Sequence, residues 1–320
     1  MRLAAADVGS NYLHLTVAEI DQGELGIIAK HEIPTRLSQE VDDDGRISLE
    51  KMTQIATLLK LFKAIAESYA AEKFLVIATE ATRSANNADQ FVDFLRERAN
   101  VDVQVVSGEL EAALTFCGAT YDRKLFAGQL VVDIGGGSTE LIAANRHHVD
   151  WMMTIPIGSG RMTDRFFKTH PPTNKQFLKL RRFLDHVFSQ VRPDHKIRDV
   201  IFTGGSAQTL HHIVARDQAK WKLKRKELNA ALKRLQREHP NKIAQVYETE
   251  VARIETLAAG ICIAQAILHR FDLRKLRISP QGIRSGLILT YAQYGDEWNK
   301  HIVSPDIVRA PSPLDHKSES

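Results

Sequence analysis

Asp133, Gly135, Gly136, Gly137, Ser138, Thr139 and Glu140 all fall within LVVDIGGGSTELI, Leu130 to Ile142. Consecutive glycines bare backbone N–H groups that can close around an anion such as phosphate, and the neighbouring hydroxyls add donors. Carboxylates beside that anion would repel it. Asp133 and Glu140 therefore point to a divalent cation bridging carboxylate and phosphate, with Mg²⁺ the natural match to hard oxygen ligands. A second such stretch opens the chain, where AADVGSNYLHLTVAEI sets Asp7, Ser10 and Asn11 around Gly9. A third glycine turn, FTGGSAQTL, places Gly204, Gly205 and Ser206 after an apolar strand and at the start of a helix, where free N–H groups and the helix dipole favour an anion.

The elements that must carry these loops follow from periodicity. Apolar runs flank both Asp-containing loops, and Leu13, Leu15 and Val17 alternate as a half-buried strand does. Each loop reads as strand, tight turn, returning strand. The two versions lie 126 residues apart (133 − 7), so one architectural unit occurs twice. In the first half the pattern predicts strands at LGIIAKHEI, KFLVIA and VDVQVV, with helices near 50–71, 88–99 and 108–119. In the second it predicts strands near 130–134, 140–144, 149–155, DVIFT and 275–278. Helices are expected near 160–168, 174–191, 206–216, 226–238, 251–270 and 282–294. Hairpin strands followed by alternating helices and strands give an α/β sheet with helical cover in each half. Two such halves can present their loops to each other across a cleft.

Composition narrows the class. A chain of 320 residues accommodates two domains at roughly 150 residues each. Cys117 and Cys262 stand in apolar helical contexts without a partner motif, which predicts reduced core thiols and no zinc site. The apolar run before Asp7 is too short for a signal peptide, and no unbroken run of ~18 apolar residues marks a membrane span. A soluble, cytoplasmic protein with no membrane or nucleic-acid partner is expected; the basic stretch around Trp221 lacks a base-reading module. Net charge is +4. The surplus gathers at Lys220, Lys222, Lys224, Arg225 and Lys226, and at Lys179, Arg181 and Arg182, where it forms either solvated faces or a polyanion surface.

The stretches DVGSNYLHLTVAEI, ATEATRSANN, SGELEAALTFCGA, VVDIGGGSTELI, IFTGGSAQTL and ISPQGIRSGLIL, in this order, resemble the Ppx/GppA family of exopolyphosphatases and guanosine pentaphosphate phosphatases, within the actin, Hsp70 and sugar kinase superfamily. The resemblance runs from Ala4 to about Ala292 and implies two ribonuclease H-like (actin-like ATPase) domains with the active site in an interdomain cleft. It places the first domain at 1–119 and the second at 120–292, with 293–320 a C-terminal segment packing on domain one and then a flexible tail. It further implies the short two-domain form of the family and a homodimer.

Carried over residue by residue, the resemblance makes Glu111 the catalytic glutamate, with Glu109 its confusable neighbour, and gives Asp133 and Glu140 catalytic roles with metal and attacking water. Asp7, Asp133 and Glu140 become the Mg²⁺ residues. Ser10, Asn11, Arg83, Asn87, Gly135, Gly136, Gly137, Ser138, Thr139, Gly204, Gly205 and Ser206 become phosphate-binding. Lys222, Lys224, Arg225 and Lys226 are expected to hold the rest of a polyphosphate chain. His14 is read as packed in the hairpin. The chain departs from the family pattern at Tyr12, where serine is common, at Ala113, in place of arginine, and in the last motif, where Ser279-Pro280 stands for Ser-Asp and Ile283-Arg284-Ser285-Gly286 for Leu-Arg-Glu-Gly.

The expected activity is Mg²⁺-dependent release of terminal phosphate from inorganic polyphosphate. Phosphoanhydride hydrolysis is mostly positioning and charge neutralisation, which loops, arginine and metal supply. Guanosine pentaphosphate (pppGpp) or a nucleoside triphosphate would suit the same chemistry. A sugar or acetate kinase-like phosphotransferase, and a non-catalytic polyphosphate or alarmone sensor, are the readings of other classes.

Overall fold

The computed structural model describes residues 1–37, 44–123, 127–145, 148–193, 196–215 and 221–301. Lys220 and the tail beyond His301 lie outside the described residues. The chain forms two compact units, one combining Met1–Lys124 with the chain from Gln281 on, the other Leu125–Pro280.

In the first unit β1 (Arg2–Val8), β2 (Tyr12–Asp21), β3 (Glu24–Pro34), β4 (Lys73–Ala78) and β5 (Val103–Val105) form a sheet of order β3-β2-β1-β4-β5. The hairpins β1–β2 and β2–β3 are antiparallel, whereas β4 pairs parallel with β1 and β5 with β4. β1 is central, and its small residues Ala4, Ala5 and Ala6 are fully buried. The Leu49–Ser68 helix starts where the Ser48 hydroxyl accepts the Lys51 N–H, and it buries Ile55, Leu59 and Phe62 in this unit's core.

In the second unit β6 (Gln129–Ile134), β7 (Thr139–Asn145), β8 (His148–Ile155), β9 (Asp199–Thr203), β10 (Lys222–Lys224) and β11 (Lys275–Ile278) follow the order β10-β11-β9-β6-β7-β8. Two antiparallel hairpins are again followed by parallel strands, β9 beside β6 and β11 beside β9. The expected repeat is thus topological, and it holds down to register. Asp7 lies opposite His14, and Asp133 opposite Glu140.

The Val251–Arg270 helix is long and apolar enough to cross a membrane, with a mean hydropathy of 1.6. It is instead the core helix of the second unit: Ile254, Leu257, Ile261 and Leu268 are buried with Leu184, Phe188 and Val200. Cys117 and Cys262 are buried and form no disulfide among the described residues, and burial pushes the Cys262 thiol up to about 12.

One expectation needs correction, and some elements were not expected. The second unit ends at Pro280, not 292, because the Ile283–Tyr294 helix packs on the Gly108–Thr120 helix of the first. A Cβ on Gly286 would lie 1.8 Å from the Leu114 carbonyl oxygen, and one on Gly118 would lie 2.1 Å from that of Gly282. Only hydrogen at both positions lets these helix backbones touch. Lys222–Lys224 is a strand, and the basic helix after it is Arg225–Leu235. Three residues carry too little alternation to be legible; β10 exists because β11 offers it an edge. Short helices at Glu80–Arg83 and Pro240–Val246 occupy segments read as connections.

Candidate active site

In the first unit the candidate residues stand at the C-terminal ends of β1 and β4. The loop after β1 is closed by the Gly9 N–H donating to the Tyr12 carbonyl at 3.1 Å, and the Asn11 carbonyl accepts the N–H groups of Thr35 and Arg36. The Ser10 hydroxyl donates to Glu80 Oε2 at 3.2 Å. Asp7 is 8% exposed; its Oδ1 has no hydrogen-bond partner, and its Oδ2 faces Arg284 Nη1 at 3.9 Å. Burial raises the Asp7 pKa to about 6, with the Arg284 charge opposing the rise. Arg284 is anchored by its Nε donating to Thr16 Oγ1 at 2.9 Å. With burial, its charge also lowers the Lys30 pKa.

Glu111 stands in the first turn of the Gly108–Thr120 helix, which the Ser107 hydroxyl caps by accepting the Leu110 N–H. Arg83 Nη1 donates to Glu111 Oε2 at 3.1 Å and to the Val106 carbonyl at 2.7 Å. The carboxylate thus has a fixed orientation while its side chain keeps 13% exposure. Glu109, its neighbour, is exposed.

The second unit repeats the turn. Gly135 N–H donates to the Ser138 carbonyl at 3.0 Å, and the carbonyls of Gly135 and Gly136 accept the N–H groups of Ser159 and Arg161 at 2.9 Å each. A Cβ on Gly158 would lie 2.3 Å from the Gly136 carbonyl, so backbone packs directly on backbone here. The Gly135 and Gly136 carbonyls are thus bound at the start of the Ser159–Phe166 helix. Ser138 Oγ donates to Glu140 Oε1 at 2.6 Å, fixing a carboxylate that is only 3% exposed.

Gly204 has φ +85°, and a Cβ there would lie 2.1 Å from Asp133 Oδ1. Glycine is required twice over, for the left-handed backbone and for the space the carboxylate occupies. Gly204 also opens a helix whose N-cap, Thr203, makes no side-chain capping bond, leaving the first turn's N–H groups directed outward. Arg253 Nη1 lies where a Gly205 Cβ would be, 2.7 Å away, bringing a cation to that helix start.

Such a set of loops, acids and arginines suits phosphoryl chemistry, and the sequence matches the Ppx/GppA phosphatase family over residues 16–294. The chain belongs to that family. Its structure resembles the crystal structure of the Aquifex aeolicus Ppx/GppA member with a TM-score of 0.79 and 26% identity, covering 92% of this chain and 99% of that one. A Cytophaga hutchinsonii exopolyphosphatase shares the fold at a TM-score of 0.82 and 23% identity, covering 92% and 98%. Exopolyphosphatase 1 of Mycobacterium leprae is 27% identical over 305 residues, 90% of this chain and 89% of the relative. Its Mycobacterium tuberculosis counterpart is 26% identical, covering 90% and 88%. The fold is accordingly α/β, with two actin-like units, and the chain is a Ppx/GppA phosphatase.

Within this Ppx/GppA chain the expected residues separate into distinct roles. Asp133 and Glu140 are cross-strand neighbours in the second unit, and Glu111, Arg83, Asp7 and Ser10 belong to the first. Among the described residues no three His, Cys, Asp or Glu side chains stand together as a metal cluster. Asn87 departs from its expected phosphate role. It is 7% exposed, its Oδ1 accepts the Ile47 N–H at 2.8 Å and its Nδ2 donates to the Ile47 carbonyl at 3.0 Å, so both polar ends clamp backbone. Thr139 departs too, being fully buried with its hydroxyl donating to the Ile157 carbonyl. Arg83 reaches Glu111 first, through Nη1. Of the basic residues, Lys222 and Lys224 are exposed on β10, while Arg225 Nη2 donates to the Leu268 carbonyl at 2.6 Å. The sequence reasoning missed Glu80, Ser159, Arg253 and Arg284. Glu80 and Arg284 lie within the motif stretches, and Ser159 has a local signal in the Gly158-Ser159-Gly160 turn.

Proposed function

We propose that this protein is an exopolyphosphatase that hydrolyses the terminal phosphoanhydride of inorganic polyphosphate with Mg²⁺. The observation that carries the reading is Glu111, a partly exposed carboxylate oriented by Arg83 in the unit that also holds the Gly9–Tyr12 turn and the buried Asp7. The exopolyphosphatase names of relatives 26–27% identical over 90% of the chain support it. In the reaction, water oxygen bonds to the terminal phosphorus as the bridging P–O bond breaks, and orthophosphate leaves the shortened chain. Glu111 takes the proton of the attacking water. The N–H groups of Gly136, Gly137 and the Gly204 helix start stabilise charge on the phosphoryl oxygens, as does Arg253. Ser138 holds the Glu140 carboxylate in place.

One atom fits a divalent cation directly: Asp7 Oδ1 is buried without a hydrogen-bond partner, which a hard metal ion would satisfy. In the second unit the cross-strand neighbours Asp133 and Glu140 are the acids that would hold a metal. When bound, Mg²⁺ offsets phosphoryl charge and acidifies water.

The test is orthophosphate release from long-chain polyphosphate, tripolyphosphate, pppGpp and ATP, by wild type and by Glu111→Gln. Release from polyphosphate that the substitution abolishes is the expected result. Preferred turnover of pppGpp or ATP would reassign the substrate. ATP-dependent labelling of a sugar would mark a kinase, and tight binding without release a sensor.

A further inference from the structure

We infer that Arg36 is a further substrate-binding residue, its guanidinium taking a phosphate group held at the Gly9–Tyr12 loop, and that Lys51 is the residue that positions it. This deepens the exopolyphosphatase reading and rests on it.

Backbone conformation sets Arg36 apart. Its φ is 51°, in the left-handed region that residues other than glycine, asparagine and aspartate rarely adopt. The other non-glycine residues with positive φ among those described have local reasons for it. Gln22 lies in the β2–β3 hairpin turn, while Ala70, Asn100, Glu248 and Asp272 each follow a helix end by one or two residues, where a left-handed residue commonly closes the helix. Arg36 follows the strand β3 and has neither setting. Its conformation is imposed by tertiary contacts instead. The N–H groups of Thr35 and Arg36 both donate to the Asn11 carbonyl, at 2.8 and 3.0 Å. Lys51 Nζ donates to the Thr35 carbonyl at 2.7 Å and to Gln54 Oε1 at 2.6 Å. Thr35, Leu37 and Lys51 are all buried.

The turn therefore holds the backbone on both sides of Arg36 and ties it to the first phosphate loop, while the Arg36 side chain itself stays exposed. Arg2, Arg83 and Arg284 in the same unit spend their guanidiniums on protein oxygens. Arg36 makes no side-chain hydrogen bond or ion pair among the described residues. Glycine would meet the demands of this backbone without strain, so folding gains nothing from arginine here. What arginine adds is a charged fork beside a loop whose Ser10 and Asn11 are expected to bind phosphate, and a guanidinium meets two phosphate oxygens at once. An exposed arginine is ordinarily a solvated surface charge; the left-handed backbone and the bond to the loop set this one apart. Burying a lysine is costly unless its ammonium is satisfied. At Lys51 the two oxygens satisfy it, and what the residue secures is the turn that carries Arg36.

Arg36→Gly and Arg36→Asn both suit the left-handed backbone and remove the charge, so they separate binding from folding. Their urea midpoints should equal or exceed that of wild type, while KM rises about ten-fold for tripolyphosphate and long-chain polyphosphate alike, with kcat within about two-fold. Arg36→Lys, which keeps the charge, should hold KM within about three-fold. In a Glu111→Gln background, Kd for tripolyphosphate should rise in parallel with KM, and the slope of log Kd against log salt should fall by ~0.7, as for one lost contact to a single-stranded polyanion. Lys51→Met should raise KM as well, and adding Arg36→Asn to it should raise KM little further, because both act through one turn. Unchanged KM and Kd in the glycine and asparagine variants would overturn the assignment. So would a lower urea midpoint in Arg36→Gly, which would make the arginine structural, or a rise in KM confined to long chains, which would place it away from the loop. If wild type cleaves no polyphosphate, the exopolyphosphatase reading fails, while the tripolyphosphate Kd and its salt slope still decide the role of Arg36.

Discussion

Neutralising Asp7 separates the demands of folding from those of the site. Its carboxyl pKa is about 6 in the folded protein against an ordinary value of 3.8, so the folded state binds that proton more tightly than the unfolded chain does. The stability this provides is fully present below about pH 3.8 and is lost as pH rises through about 6. A difference of about 2.2 units (6 − 3.8) at 1.36 kcal/mol per unit makes ionised Asp7 cost about 3 kcal/mol at pH 8. Asp7→Asn removes that cost, keeps the side-chain shape and gives up the attraction to Arg284. Urea unfolding in EDTA should therefore find Asp7→Asn more stable than wild type by about 1–3 kcal/mol at pH 8, with the advantage gone by pH 4. Turnover should be lost, and Mg²⁺ should stabilise wild type more than the variant. Equal pH dependence in the two proteins, or a variant less stable than wild type at pH 8, would refute the reasoning. Stability gained by removing a site carboxylate is the exchange expected where function keeps a strained arrangement.

Three further outcomes follow from contacts already described. Asn87→Ala leaves the Ile47 N–H and carbonyl without partners in a buried place; it should lower stability by about 2 kcal/mol while KM stays within two-fold, measured by urea unfolding and polyphosphate kinetics. Gly204→Ala forces a Cβ onto Asp133 Oδ1 at φ +85°; phosphate release should fall at least a hundred-fold, with a smaller loss of Tm. Gly286→Ala drives the Glu111-bearing helix from its neighbour; a loss of about 2–3 kcal/mol or more in thermal unfolding is expected, together with reduced kcat.

Much of the candidate site was legible because its signals are local. A glycine turn between two strands reports its own geometry, so the loops after β1 and β6 could be located from Asp7-to-Asn11 and Asp133-to-Thr139 alone. The roles of Asn87 and Thr139 were misread for the opposite reason. Each carries a polar group suited to phosphate, yet the partners that claim it lie 40 and 18 residues away. Arg284 was read only as part of a motif. Its position beside Asp7 comes from helix packing that glycines at 118 and 286 permit.

By itself the sequence determined the doubled α/β plan, the glycine loops, the acids beside them and the surplus of positive charge, since periodicity, residue type and spacing are properties of neighbours along the chain. Tertiary structure decided which polar groups remain available for chemistry. It buried Asp7 Oδ1 without a partner, turned Arg83 to Glu111, committed Asn87 to Ile47, and brought Lys275 opposite Lys224. The charge state of a carboxylate and the vacancy of a hydrogen-bonding group depend on everything packed around them, and that surrounding is assembled from residues far apart in the chain.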